Sequence, residues 1–187
     1  MRHRRDLERW LGQYQIGIDN IRDVDLRQCY IQQRPNFPID KLLVNGDGIV
    51  DSRMTNSPHH ELADLYVRRG EGKARKRFKG TRYCQMSKMM GRGNFPIKLP
   101  GLHASLKKGY LRKKHKWNFI VVLMEPFASS RYKRNVVHLV PEVWAGHHRA
   151  AMLLALGKTI VRVVVGKDLK PGSRKCAGKI HDLCVKK

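Results

Sequence analysis

The stretch HRAAMLLALGKTIVRVVV, from His148 to Val165, places a helix immediately before a strand. We predict a helix from Pro141 to Leu156, because its apolar side chains supply a surface for packing. Gly157 is positioned to end that helix, since glycine readily adopts the left-handed conformation found just after a last helical turn. Ile160–Val165 contains four valines, and β-branched residues favour a strand.

The neighbouring segments extend this alternation of elements. Residues 117–124 form an apolar run of strand length, and Ser173–Leu183 has the pattern of a second helix. Residues 184–187 could add a short edge strand. The order strand–helix–strand–helix–strand predicts an α+β class, with a small ferredoxin-like sandwich at residues 118–187 whose helices cover one sheet face.

The first 65 residues form an acid-balanced segment, with nine Lys and Arg against ten Asp and Glu. A helix is predicted from Asp6 to Tyr14, where Leu7, Trp10 and Leu11 fall on one face. A second helix should begin at Pro58 with Ser57 as its cap. We expect residues 1–65 to be an extension with short helices that docks on proteins.

The charge of the chain is concentrated in its middle third. Of 39 Lys and Arg, 17 lie in residues 66–117, where Glu71 is the only acid, and the whole chain has a net charge of +24. So large a charge repels itself in a compact fold and indicates a polyanionic partner. Because residues 66–117 are also rich in glycine and poor in bulky aliphatic side chains, we predict a largely irregular segment that threads along RNA and orders on contact.

Two aromatic residues, Phe78 and Tyr83, are interleaved with the basic residues, and such rings can stack on unpaired bases. Lysine and arginine side chains neutralise phosphates and release counterions. Histidine and arginine at a helix start, as at 148 and 149, also suit phosphate. The predicted RNA-binding residues are Arg68, Arg69, Lys73, Arg75, Lys76, Arg77, Lys79, Arg82, Lys107, Lys108, Arg112, Lys113, Lys114, Lys116, Lys133, Arg134, His148, Arg149, Lys158 and Lys179.

Metal and cofactor sites are not predicted. The four cysteines form no C-x-x-C pair, and the adjacent pairs His59-His60 and His147-His148 lack the i, i+4 spacing of a metal-binding helix. Residues 45–51 are similar to part of a calcium loop, but Leu43 and Met54 would occupy its first and twelfth positions, so a tight turn is the better interpretation. No catalytic set stands out, and no apolar run approaches a membrane span.

The runs His148–Gly157, Thr159–Val165 and Gly178–Lys186 together resemble the large-subunit ribosomal protein family numbered thirty in the universal scheme. The resemblance covers about residues 117–187. It implies a ferredoxin-like α+β fold that binds large-subunit ribosomal RNA and has no catalytic role. The chain departs from the family in an insert at residues 125–146 and in the long segment before residue 117, which favours an organellar member.

These observations lead to one expectation and two alternatives. We expect a non-enzymatic structural constituent of the large ribosomal subunit in the mitochondrial matrix, with ribosomal RNA and neighbouring ribosomal proteins as partners and with no cofactor or small-molecule substrate. A plastid or cytoplasmic ribosome is the alternative location. The first alternative function is a free-standing RNA-binding or RNA-processing factor. The second is an RNA-modifying or RNA-cleaving enzyme, which would depend on His59, His60, His147 or His148.

Overall fold

A computed structural model describes residues 2–31, 42–43, 51–109, 119–128 and 137–169. Its helices and strands, in chain order, are α1 Arg2–Gly12, β1 Ile16–Asp25, β2 Tyr30–Ile31, α2 Pro58–Arg77, α3 Arg82–Met89, α4 Leu99–Lys107, β3 Val121–Ala128, β4 Val137–Ala145, α5 His147–Ala155 and β5 Ile160–Asp168. Short 3₁₀ turns lie at Leu26–Gln28, Met54–Asn56 and Phe78–Gly80.

The strands form one mixed sheet in the order β1-β5-β3-β4-β2. β5 pairs antiparallel with β1 and parallel with β3, so the valine-rich strand lies inside the sheet. β3 pairs antiparallel with β4, and β2 adds a short parallel edge to β4. A strand that is buried on both faces is expected to be continuously apolar, as β5 is at Val163–Val165.

Both faces of this sheet are covered by helices. Val121 and Val164 belong to a hydrophobic cluster with Leu7 and Leu11 of α1. Val122 and Val163 point to the other face and belong to the larger cluster that α2, α3, α4 and α5 complete. Because successive side chains of a strand alternate between faces, the valine runs supply both clusters, and the molecule has three layers.

The α+β class is confirmed, and three finer predictions change. Helices cover two sheet faces and not one, because α1 packs behind the sheet. Two of the five strands come from the first 31 residues, so the described sheet is not confined to residues 118–187. Residues 141–145 are strand and not helix, because they pair with β3, for example Pro141 with Met124. β4 also occupies much of the 125–146 insert.

The segment predicted to thread irregularly along RNA is largely helical where it is described. Ala74 and Phe78, four residues apart, are buried, and so are Tyr83, Met86 and Leu106. All five join the large cluster beside α5. The segment has few apolar side chains, but the sheet and α5 provide a surface for these five, so the segment does not need a core of its own.

Several local predictions are confirmed. The Asp6–Tyr14 helix corresponds to α1, and Ser57 Oγ accepts a hydrogen bond from the His60 backbone N–H at 3.1 Å at the start of α2. Gly157 ends α5 with a φ of 75°, and the Lys158 N–H donates to the Leu153 carbonyl at 2.9 Å. The 173–183 helix, the 184–187 strand and most of the 45–51 turn lie outside the described residues. Among the described helices, none is long and apolar enough to cross a membrane.

Candidate nucleic-acid interface

A kink divides α2 into two arms. Gly70 has φ 75° and ψ 167°, a backbone conformation open almost only to glycine. The first arm is anchored by the buried Leu62 and Tyr66, and the second by Ala74. The kink therefore turns the basic end of α2, Arg75–Arg77, away from the direction of the first arm.

A groove of about 830 Å³ lies beside this kink, and we call it the basic groove. Both arms of α2 contribute to its lining, together with the residues that lead into α3. Five of the lining residues are Lys or Arg and two are acids, so the groove is a net cationic surface. The lining residues are Thr55, His60, Glu61, Asp64, Leu65, Arg68, Arg69, Lys76, Arg77, Gly80, Thr81 and Arg82.

The cations of the basic groove divide into two groups. Arg69, Lys76 and Arg77 are exposed and make no ion pair within the described part of the chain. Arg68 pairs with Asp64 at 2.7 Å on the same helix. Because paired guanidinium groups have part of their charge neutralised, the three unpaired cations provide most of the groove's attraction for an anion.

Arg82 lines the basic groove and also makes structural contacts within the chain. Its Nε donates to Glu61 at 2.6 Å, and its Nη1 donates to the Leu42 carbonyl at 3.0 Å and to Asn56 at 3.2 Å. These bonds join the start of α3 to the start of α2. Arg75 is similarly engaged, since it pairs with Glu71 at 2.8 Å and its guanidinium lies 4.5 Å from the centre of the Phe95 ring.

The structure places the other predicted RNA-binding residues differently. Lys73, Lys79, Lys107, Lys108 and Lys158 are exposed. Seven lie outside the described residues: Arg112, Lys113, Lys114, Lys116, Lys133, Arg134 and Lys179.

The two aromatic residues that we expected to stack on bases do not face solvent. Phe78 is 5% exposed and Tyr83 is 6% exposed, and both rings pack in the large hydrophobic cluster. The expectation is wrong because alternation with basic residues does not decide exposure on a helix. Phe78 lies four residues after the buried Ala74, on the inward face.

A second group of functional side chains lies where the starts of α2 and α5 meet. We call His59, His147 and His148 the histidine cluster. The ring centroids of His59 and His147 are stacked 5.3 Å apart, and those of His59 and His148 meet edge to face at 4.9 Å. Tyr83 Oη and His148 Nε2 share a hydrogen bond of 2.5 Å. The Nδ1 atom of His59 is buried and has no hydrogen-bond partner among the residues that the structure describes.

The protonation of this cluster is set by its surroundings. Burial lowers the pKa of His148 to about 4, and the positive charge of Arg92 acts in the same direction. Burial, followed by the neighbouring His147 and His148, lowers the pKa of His59 well below its ordinary value. Burial raises the pKa of Tyr83 to about 12. At neutral pH, His59 and His148 are therefore uncharged imidazoles beside the uncharged phenol of Tyr83.

His148 and Arg149 were predicted to meet phosphate at the start of α5. His148 instead bonds to Tyr83, and Arg149 Nη1 donates to the Phe119 carbonyl at 2.9 Å. Both side chains are half-buried. The contacts that the structure gives them are internal, because α5 begins against the residues that precede β3.

Sequence reasoning did not predict the histidine cluster, because its members are almost ninety residues apart in the chain. The available signal was that each adjacent histidine pair lies in a predicted helix, with His59-His60 at the start of its helix. Within the described ranges, no three His, Cys, Asp or Glu side chains are arranged to hold a metal ion.

Comparisons with protein-family models, with characterised proteins and with solved structures found no match to this chain.

Proposed function

We propose that this chain is a non-enzymatic RNA-binding protein that serves as a structural component of the large ribosomal subunit. The observation that carries RNA binding is the basic groove, in which Arg69, Lys76 and Arg77 are exposed and unpaired among the described residues. Cations without internal partners keep their full attraction for phosphate, and neutralising several phosphates releases several counterions. A net charge of +24 adds long-range attraction for a polyanion.

The ribosomal part of the proposal is supported by the resemblance of residues 148–165 and 178–186 to the family numbered thirty. Ribosomal RNA and neighbouring ribosomal proteins are then the partners, and the mitochondrial matrix is the proposed location. Sedimentation of a tagged chain through a gradient tests this. Migration with the large subunit from isolated mitochondria is expected, whereas migration only in the free-protein fractions would contradict it.

RNA binding itself is tested by reversing the charges of the basic groove. The triple variant Arg69→Glu, Lys76→Glu and Arg77→Glu should weaken binding to a single-stranded RNA. The slope of log K against log salt should become shallower by about 2, since each lost contact to single-stranded phosphate removes roughly 0.7. Filter binding at several salt concentrations measures both quantities.

The matched control reverses three exposed lysines that do not line the groove, Lys88, Lys98 and Lys167. It has the same net charge as the groove variant, so it separates a local site from general attraction. Equal loss of affinity in the two variants would show that the groove is not the binding surface.

One observation favours a non-ribosomal RNA-binding factor as the alternative. Helices α2, α3 and α4 share a hydrophobic cluster with α5 and the sheet, and such a core is compatible with folding in the absence of RNA. Purification of the chain as a compact monomer with RNA affinity, together with no association with ribosomal subunits, would support that function over the ribosomal one.

The histidine cluster favours one enzymatic candidate, an RNA-cleaving activity. Uncharged imidazole is a general base, and the cluster holds two histidines whose pKa values are lowered. A base of this kind could take the proton of a ribose 2′-hydroxyl while the 2′-oxygen attacks phosphorus and the bond to the 5′-oxygen breaks. The protonated Tyr83 phenol, which lies beside His148, could give its proton to the leaving 5′-oxygen. Cleavage of an RNA oligonucleotide in the presence of EDTA is the assay.

Alanine at His59 or His148 should abolish such cleavage, whereas alanine at His103, which lies on α4 outside both the cluster and the basic groove, should retain it. Full-length RNA after prolonged incubation with the wild-type chain would exclude the enzymatic candidate.

A further inference from the structure

A partly enclosed pocket of about 370 Å³ lies between α1 and the junction of β4 with α5. The basic groove has a separate lining, since no residue contributes to both. Apolar side chains form most of its wall, and one guanidinium group lies at its edge. The residues that the argument uses are Leu7, Trp10, Phe119, Val121, Ala145 and Arg149.

The indole of Trp10 is held rigidly at this pocket. Its ring centroid lies 5.6 Å from that of Tyr14 and 5.5 Å from that of Trp144, and Tyr14 and Trp144 are themselves 5.2 Å apart. Edge-to-face and tilted contacts of this kind are favourable aromatic geometries. A ring that is already fixed loses little conformational entropy when a flat ligand stacks on it.

We propose that this pocket binds one unpaired base of an RNA strand. The proposal rests on the proposed RNA-binding function. It adds a second contact with RNA, in which the pocket binds a base, whereas the basic groove binds phosphates. Two aromatic walls, Trp10 and Phe119, suit a planar heterocycle, and aromatic side chains that stack on bases are a common way to hold single-stranded RNA. Arg149 adds a cation at the pocket, and α1 carries four arginines against two acids.

A base is favoured over an aliphatic ligand by the shape and charge of the site. Stacking is tolerant of base identity because every base has a π-face, so the pocket does not need a sequence-specific donor set. A volume of about 370 Å³ is at the small end of ligand pockets, which suits one heterocycle better than a long acyl chain. Arg149 in the lining favours the phosphates that flank such a base.

The test compares two RNA strands of twelve nucleotides with equal charge, an oligoadenylate and a strand of the same length made of abasic ribose phosphates. The full wild-type chain should bind the oligoadenylate about tenfold more tightly, the effect expected when one base stacks on an aromatic side chain. Trp10→Leu should remove this preference, and Trp10→Phe should keep most of it. Ile97→Ala, a change at an 85% exposed apolar residue away from the pocket lining, should leave the preference unchanged.

A fluorescence titration of the wild-type chain and of the conservative variant Trp10→Phe guards against misfolding of Trp10→Leu. Adenosine should quench tryptophan emission, and the quenching should fall strongly in Trp10→Phe. Quenching by a medium-chain fatty acid and not by adenosine would overturn the proposal.

The outcomes separate the pocket from the proposed function. Equal affinity of the wild-type chain for the two strands would overturn the base pocket and leave RNA binding by the basic groove intact. If the wild-type chain bound neither strand, both the base pocket and the proposed RNA-binding function would be overturned. If the pocket binds a base, the triple variant of the basic groove (Arg69→Glu, Lys76→Glu and Arg77→Glu) should bind both strands more weakly and still prefer the oligoadenylate.

Discussion

His148 lies in surroundings that disfavour its protonated form. His59 faces it from α2, Tyr83 from α3, Arg92 from the turn after α3 and His147 from α5, and its pKa falls to about 4. In the unfolded chain the imidazole takes up a proton near its ordinary pKa of 6.5. Between these two values the unfolded state binds more protons, so the folded state loses stability as pH falls.

We predict that this residue lowers the free energy of unfolding by about 2 kcal/mol between pH 7 and pH 4, a value reduced for its partial exposure. Urea denaturation at several pH values measures the effect. In His148→Gln this part of the pH dependence should disappear, because glutamine does not titrate there. An equally steep loss of stability in the variant and in the wild-type chain would contradict the prediction.

Residue-level roles were only partly predictable from the sequence. Ser57 and Gly157 were assigned correctly because capping depends on local backbone groups. Tyr83 was predicted to stack on RNA bases, but its ring packs in the core. The sequence did not show this, because its partner His148 lies far away in the chain. The same reason explains why the ion pair of Arg82 with Glu61 could not be foreseen.

The kink of α2 makes a prediction at the scale of an element. Gly70 and Gly72 lie two residues apart, and a Cβ at either position would meet no atom within 4 Å. Of these two glycines, Gly70 has a positive φ and Gly72 does not, so the two alanine substitutions should change the stability of the chain in opposite directions. Gly70→Ala should destabilise the chain by about 2 kcal/mol through backbone strain. Gly72→Ala should stabilise it by roughly 0.5 kcal/mol, because alanine is the better helix former.

Thermal or urea unfolding of both variants measures whether each substitution lowers or raises the free energy of unfolding. Gly70→Ala should also weaken RNA binding, since the kink places Lys76 and Arg77 beside Arg69 in the basic groove. Gly72→Ala is the control for this readout and should bind RNA like the wild-type chain. The same sign of stability change in both variants would mean that the kink is not imposed by Gly70.

Elements with strong local signals were predicted well, and those that depend on partners were not. The apolar stripe of α1 and the valines of β5 decide their structures locally. Residues 141–145 fit a helix in isolation, but pairing with β3 makes them a strand. In the candidate site, the sequence identified the basic residues and not the groove, because the groove depends on a bend at Gly70.

At the scale of the whole molecule, β5 is the structural centre. It lies between β1 and β3, and its valines belong to the clusters on both sheet faces. Charge counting alone suggested a folded C-terminal part and an RNA-dependent middle part. The packing of α2, α3 and α4 against the α5 side of the sheet joins these parts through one hydrophobic cluster. The basic charge then lies on the outer side of a folded layer.

This arrangement predicts the pattern of amide hydrogen exchange. Without RNA, the amides of Val163, Val164 and Val165 should exchange most slowly, because they are buried and lie inside the sheet. The amides of α2 and α3 should also be protected, since Tyr66 and Met86 are buried in the same cluster. Addition of RNA should slow exchange further around residues 68–82, where the basic groove lies, and leave β5 unchanged. If α2 and α3 exchanged freely until RNA was added, the middle segment would order on contact after all, and the shared core would form only in the complex.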